Sequence, residues 1–280
     1  MDTVLRLLFY EVLGLGLIAT VVKSFSWRDY LRKPRQAAQS KLLRAPGDSC
    51  QQETQVLNDW LMGLLAGIVA TPAILLGQMP RTIDGKSIAI MAVSILAWAV
   101  ALIYLLNFRR KLELRLRGQR TVAEELNRLM REGCYVFHDY PTSPRQSIDH
   151  IIVSGAGVFA IKTETRRKSP GSKTQMVSFD GKRLNFPGGK SDVEGLDRAC
   201  RDAADLSREL TAASSEAVNV NPIVTLPGWV ISQTGDGEVR VVAPEEIGRA
   251  VITSEKPALT SVQMHKLASL IEQRCRDVEL

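Results

Sequence analysis

Histidine and cysteine are scarce and scattered. The 280 residues hold three histidines, His138, His150 and His265, and four cysteines, Cys50, Cys134, Cys200 and Cys275. No CxxC and no Cys/His spacing occurs among them, which excludes the usual zinc sites and a histidine-based metal centre. A disulfide framework needs closely patterned pairs, so these thiols fit a reducing compartment. Charge is also missing, but only locally. The net charge is +6 and 45% of the residues are hydrophobic, yet much of that fraction lies in long runs before Phe108.

Those runs read as membrane helices. Ile88–Phe108 carries no charge, includes Trp98 and Tyr104, and is followed by Arg109, Arg110 and Lys111. About 20 apolar residues cross a hydrocarbon core as a helix, with aromatics and cations at the interface. Trp60–Met79 is likewise uncharged and contains Pro72. Val4–Val22 is interrupted by Arg6 and Glu11 and reads either as a span or as an interfacial helix. Two or three spans are therefore expected, at about 4–22, 60–79 and 88–108, in a membrane region covering 1–117. Lys23, Arg28, Arg32, Lys33, Arg35, Lys41 and Arg44 follow the first run, and six more cations follow the third. The positive-inside rule puts both clusters, and everything after Phe108, on the cytoplasmic side of a cell membrane. Gly63 and Gly67 form a GxxxG ridge through which the lipid-embedded chain could self-associate as a homo-oligomer.

From Gly118 the pattern turns globular, with a domain over 118–244 and a helical extension over 245–280. Val122, Leu126, Leu129 and Met130 recur at helical spacing. "CYVFHDYP" reads as a strand stopped by Pro141, followed by strands "SIDHIIVSG" and "VFAIKTETR" around a Gly155–Gly157 turn. Asp180-Gly181 marks a hairpin. Val193 to Leu210 marks a second helix, "NPIVTLPGWVI" and "EVRVVAP" further strands, and Leu259–Arg276 a last helix with Val262, Leu267, Leu270 and Ile271 inward. The order implies an α/β layered domain.

Strand alternation puts Lys162 and Glu164 on one side with Val158 and Ala160, and Asp149 on one side with Ile151 and Val153. If those sides coincide, two carboxylates and an ammonium converge. Such a group suits a hard divalent ion; an ordinary strand edge with a salt bridge uses the same residues. His138 reads as a hydrogen-bonded edge residue and His150 as packing on the opposite face.

The stretches "YVFHDYP", "IDHIIVSGAGVFAI", "TRRK" and "LPGWVIS" resemble the nuclease-related domain (NERD) family, over about Gly118 to Pro244. That family is a branch of the PD-(D/E)xK nuclease superfamily, often appended to membrane segments. The resemblance implies a restriction-endonuclease-like mixed sheet flanked by helices and magnesium-dependent attack of water on a phosphodiester. It implies Asp149 and Glu164 as metal ligands, and a catalytic set of Asp149, Lys162, Glu164 and Gln119. Two departures stand out. The family's E-x-K appears as Lys162-Thr163-Glu164, and its helical glycine-glutamate pair as Gly118-Gln119. Glu124 and Glu125 lie on other helical turns, and the family's second-helix glutamine has Arg198 as its nearest match. Residues two apart on a strand are about 6.6 Å apart along its axis, whereas magnesium wants oxygens at about 2.0–2.1 Å. The expected function is a membrane-anchored, metal-dependent nuclease or nucleic-acid-processing protein, with a catalytically silent nucleic-acid-binding or membrane scaffold module as the alternative. Arg166, Arg167, Lys168 and Lys173 are the expected nucleic-acid contacts, with an anionic lipid surface as the rival partner.

Overall fold

The computed structural model describes residues 43–78, 85–143, 146–168, 175–252 and 258–276. The expected span at 4–22, the first basic connection up to Lys41, and Lys173 lie outside them. The chain divides into two compact units, Met1–Ala37 with Gln52–Glu113 and Ala38–Gln51 with Leu114–Leu280.

Two long helices come first, α1 (Asp48–Gln78) and α2 (Gly85–Met130). Helix α1 starts ahead of its apolar run because residues 48–59 are mostly helix-tolerant polar residues, and the Asp48 carboxylate accepts the Ala45 N–H at 2.8 Å. The expected third span and the amphipathic stretch from Gly118 are one helix, α2. Among the described residues, Ala92–Met130 is the one stretch long and apolar enough to cross a membrane. Val93, Leu96, Val100, Ile103 and Tyr104 on it are exposed. Of the two or three expected spans, the one at 88–108 falls on a described helix that meets this test of length and composition.

The second unit is built on a five-stranded mixed sheet in the order β1 (Tyr135–Ser143), β2 (Gln146–Ser154), β3 (Gly157–Thr163), β7 (Val220–Thr225), β9 (Arg240–Val242). The first three strands are antiparallel and the last three parallel. Strand β1 runs on through Pro141, which pairs with Ser147. An edge strand can accommodate a residue with no N–H. A four-stranded sheet follows the order β6 (Lys190–Asp192), β5 (Leu184–Phe186), β4 (Met176–Phe179), β8 (Val230–Gln233). The Asp180-Gly181 hairpin forms as expected. Gly181 takes φ +92°, and the Asp180 carboxylate accepts the N–H groups of Lys182 and Arg183 at 2.9 and 2.7 Å. "NPIVTLPGWVI" is two strands in different sheets, parted by Pro227 and Gly228.

Helices cover both faces of the large sheet. On one, Val122, Leu126 and Leu129 of α2 pack on Ile152, Phe159, Ile161 and Ile223, with Ile247 and Val251 of the short α4 (Ile247–Ile252). On the other, Ala203, Leu206 and Leu210 of α3 (Glu194–Ser214) and Leu267 and Ile271 of α5 (Ser261–Cys275) pack on Ile151, Val153 and Ala160. Each fully buried aliphatic side chain contributes about 1.5–3 kcal/mol. Val262, expected to point inward, is 78% exposed. It sits in the first turn of α5, whose position is set by a capping box between Thr260 and Gln263 rather than by packing.

One residue ties the first turn of α1 and the residues just before it to this sheet. Asp139 on β1 takes φ +53°, a left-handed conformation uncommon for a side-chain-bearing residue. Its carboxylate accepts from the Ser49 N–H and hydroxyl at 2.8 Å, from the Ser147 hydroxyl at 2.7 Å, and from Arg44 at 3.3 Å.

Candidate functional site

The ladder between β2 and β3 ends at the pair His150–Ile161, and the next facing residues are Asp149 and Lys162. The carboxylate of Asp149 closes the gap. Its Oδ2 accepts the Thr163 backbone N–H at 2.8 Å and the Lys162 ammonium at 2.9 Å. Its Oδ1 accepts from Gln119 Nε2 at 2.6 Å and from Arg115 at 3.5 Å. Asp149 is 1% exposed and Lys162 5%, so this is a buried ion pair in which both carboxylate oxygens accept hydrogen bonds. Burial alone would push the Asp149 carboxyl up, but Lys162 and then Arg115 outweigh it and hold the group well below the usual carboxylate range.

Gly118 lets α2 approach closely enough for Gln119 to reach. A Cβ at Gly118 would overlap the Thr165 methyl. Gln119 Oε1, by contrast, is buried with no hydrogen-bond partner among the described residues.

Glu164 stays on the side that alternation gives it, the side covered by α3, although it lies beyond the strand. Strand β3 ends at Thr163, and the Glu164 N–H donates to Thr225 O at 2.9 Å. Its side chain lies against the first turn of α3, where a Cβ on Gly195 would come within 2.9 Å of Oε1. Burial raises the Glu164 carboxyl, Lys162 draws it down, and Asp192 and Asp149 push it up again.

Sequence reasoning missed two participants. Arg115 lies one turn before Gln119 on α2, and Asp202 lies on α3 between Ala199 and Ala203. Asp202 is 9% exposed, and its Oδ2 has no hydrogen-bond partner among the described residues; the nearest recorded cation atom is Arg198 Nε at 4.0 Å. Burial raises its carboxyl, and Lys162 is the strongest influence in the other direction. The only hint in the sequence is an acidic residue on the apolar stripe of a helix.

His138 and His150 form a pair, Nδ1 to Nδ1 at 2.9 Å, with edge-on rings. One ring nitrogen must therefore donate and the other accept. Burial lowers His138 to about 4 and His150 to about 3.

The basic residues divide. Arg166 is committed internally: it pairs with Asp192 at 2.6 Å and stacks over the Phe186 ring at 4.1 Å. Arg167 and Lys168 are exposed, and Lys168 donates to Gln175 at 2.8 Å. Gly63 and Gly67 lie on α1 and are buried within the chain, so the ridge expected to join two copies is already covered.

The residues do not fit the magnesium ion that the resemblance implies. Both oxygens of Asp149 are taken by donors, one of them an ammonium, and Glu164 is turned to α3. Among the described residues no group of three His, Cys, Asp or Glu side chains is placed to hold a metal ion.

Residues 114–227 match the family model described as the nuclease-related domain (NERD), a span that contains Arg115, Gln119, Asp149, Lys162, Glu164 and Asp202. No curated protein and no solved structure matches the chain.

Proposed function

We propose that this chain, whose residues 114–227 match the nuclease-related domain model, binds nucleic acid from a membrane-tethered position without hydrolysing it. One observation carries this reading. The carboxylate that would organise a divalent ion is spent on Lys162, Thr163, Gln119 and Arg115. Water-activating chemistry by a hard ion needs free carboxylate oxygen, and Asp149 offers none.

Binding needs only cations on the surface. Arg167, Lys168, Lys182 and Arg183 are exposed, and the chain is positively charged overall. Such contacts engage the phosphate backbone irrespective of sequence. The apolar exposed face within Ala92–Met130 supports a lipid-embedded helix, since bare Leu, Ile and Val over that length are costly in water. The cation excess around the apolar runs supports a multi-pass chain with its domain in the cytoplasm.

The test uses the whole chain in detergent micelles with labelled single- and double-stranded DNA and RNA. Binding is expected to weaken with salt, at a log–log slope of about −0.9 per phosphate neutralised on duplex DNA, with no cleavage in magnesium or manganese. Divalent-dependent cleavage that Asp149→Ala abolishes would make it a nuclease. Binding to anionic liposomes with none to nucleic acid at low salt would reassign the basic surface to lipid.

A further inference from the structure

The exposed surface of α2 changes character at one point. Up to Phe108 it is apolar: Val100, Ile103, Tyr104 and Phe108 are 59%, 59%, 70% and 43% exposed. Past Phe108 the leucines withdraw and cations take the exposed positions. Leu112 is buried and Leu114 and Leu116 are half-buried, whereas Arg110, Lys111, Arg117 and Arg120 are exposed. In water the apolar stretch would be costly and the abrupt change would have no cause. Aromatic side chains followed at once by cations mark the boundary between hydrocarbon and headgroups.

Three of the six cations between Arg109 and Arg120 are already engaged. Arg109 pairs with Glu113 at 3.0 Å, Arg115 reaches Asp149 at 3.5 Å and Arg120 donates to Gln51 at 3.1 Å. Arg110 and Lys111 are exposed and hold no such partner among the described residues. At a rise of about 1.5 Å per residue they stand about 3 and 4.5 Å past Phe108 along the helix. A headgroup layer is about 5–7.5 Å deep on each side of the hydrocarbon, so both lie within it, whereas Arg117, about 13.5 Å past, lies beyond. Tyr104, Phe108 and Lys111 also follow one helical stripe, at spacings of four and three residues.

We propose that Arg110 and Lys111 bind the phosphate of an anionic phospholipid whose acyl chain lies along Tyr104 and Phe108. A guanidinium grips two phosphate oxygens as a fork, and an ammonium adds a point charge. A zwitterionic lipid carries its own cation beside the phosphate, which the two side chains repel. A lipid of net negative charge, such as phosphatidylglycerol, has no such group, so the pair selects it. This inference rests on the membrane reading above and is independent of nucleic-acid binding.

The experiment is thermal melting of the full chain in detergent micelles, titrated with short-chain phosphatidylglycerol or phosphatidylcholine. The wild type is expected to melt higher as phosphatidylglycerol rises and to ignore phosphatidylcholine, because a ligand of the folded state raises its apparent stability. Arg110→Gln/Lys111→Gln is expected to need about 25-fold more phosphatidylglycerol for the same shift, at about fivefold per cation. Arg117→Gln is expected to match the wild type. A double variant that responds like the wild type overturns the inference. So does an Arg117→Gln chain that loses its response as well, since net charge rather than depth then governs. An equal shift from glycerol 3-phosphate would make this a site for free phosphate esters and overturn the lipid assignment. Flotation with vesicles after an alkaline wash tests the membrane reading separately. A chain that floats but shows no lipid preference sinks this inference alone, whereas one that stays in solution sinks both.

Discussion

Gly195 and Glu164 are in mutual contact across the start of α3: a Cβ on the glycine would stand 2.9 Å from Oε1 and 3.0 Å from Cδ of the glutamate. Gly195 is helical, and alanine at such a position ordinarily gains about 1 kcal/mol. Here the gain is expected to vanish or reverse in the wild type and to reappear in a Glu164→Ala background. Urea midpoints of the four chains in a double-mutant cycle measure it. Equal gains in both backgrounds would place Glu164 elsewhere.

Gln119→Glu, which supplies the carboxylate of the resembled family, is expected to destabilise the chain at neutral pH. Gln119 Nε2 donates to Asp149 Oδ1 at 2.6 Å, so the variant sets two carboxylates against each other and deletes a charge-assisted hydrogen bond. A loss of about 1.5–3 kcal/mol is expected from the hydrogen bond alone. The deficit should shrink in acid, where one carboxyl takes a proton. Denaturation at pH 7 and pH 5 checks both statements.

The histidine pair sets part of the acid response. His138 and His150 are lowered to about 4 and about 3, so below their ordinary value near 6.5 the unfolded chain binds protons that the native chain refuses. Their contribution is complete above that value and is lost as pH falls towards 4 and 3, at about 1.4 kcal/mol per pH unit for each site that titrates. Glu164 and Asp202, both raised, act in the opposite sense and gain stability as they protonate. His138→Asn/His150→Asn is expected to flatten the fall in urea midpoint between pH 6.5 and 4. An unchanged slope would mean that other groups govern acid unfolding.

Charge reversal should separate the three basic residues after Thr165. Arg167→Glu/Lys168→Glu is expected to flatten the salt dependence of nucleic-acid binding at an unchanged melting temperature. Arg166→Glu is expected to lower the melting temperature as well, because it breaks the pair with Asp192 and the stack on Phe186. Equal melting temperatures for the two variants would show that the Arg166 contacts carry no stability.

The convergence of Asp149 and Lys162 was legible from strand alternation, because a period of two is enforced as long as a strand lasts. Glu164 lies just past the end of β3, yet it keeps to the face that alternation gives it, the one covered by α3. The α3 stripe of Leu196, Ala203, Leu206 and Leu210 was legible from its helical spacing, and it concealed Asp202, whose partners come from other elements. Long-range contacts of this kind leave no periodic trace. The same holds for the histidines, which read as an edge residue and packing but bond to each other across two strands.

Asp139 also imposes an order of events on the chain. The N–H of Ser49 in the first turn of α1 is satisfied by a carboxylate 90 residues further on, and Arg44 reaches the same group across 95 residues. During synthesis, Ser49 leaves the ribosome well before β1 exists, at about 5–20 residues per second. The beginning of α1 must wait, solvated or frayed, until β1 and β2 have paired and brought Asp139 and Ser147 into place. Closing so long a loop is slow relative to forming a helix. Completion of the sheet is thus the event that finishes α1.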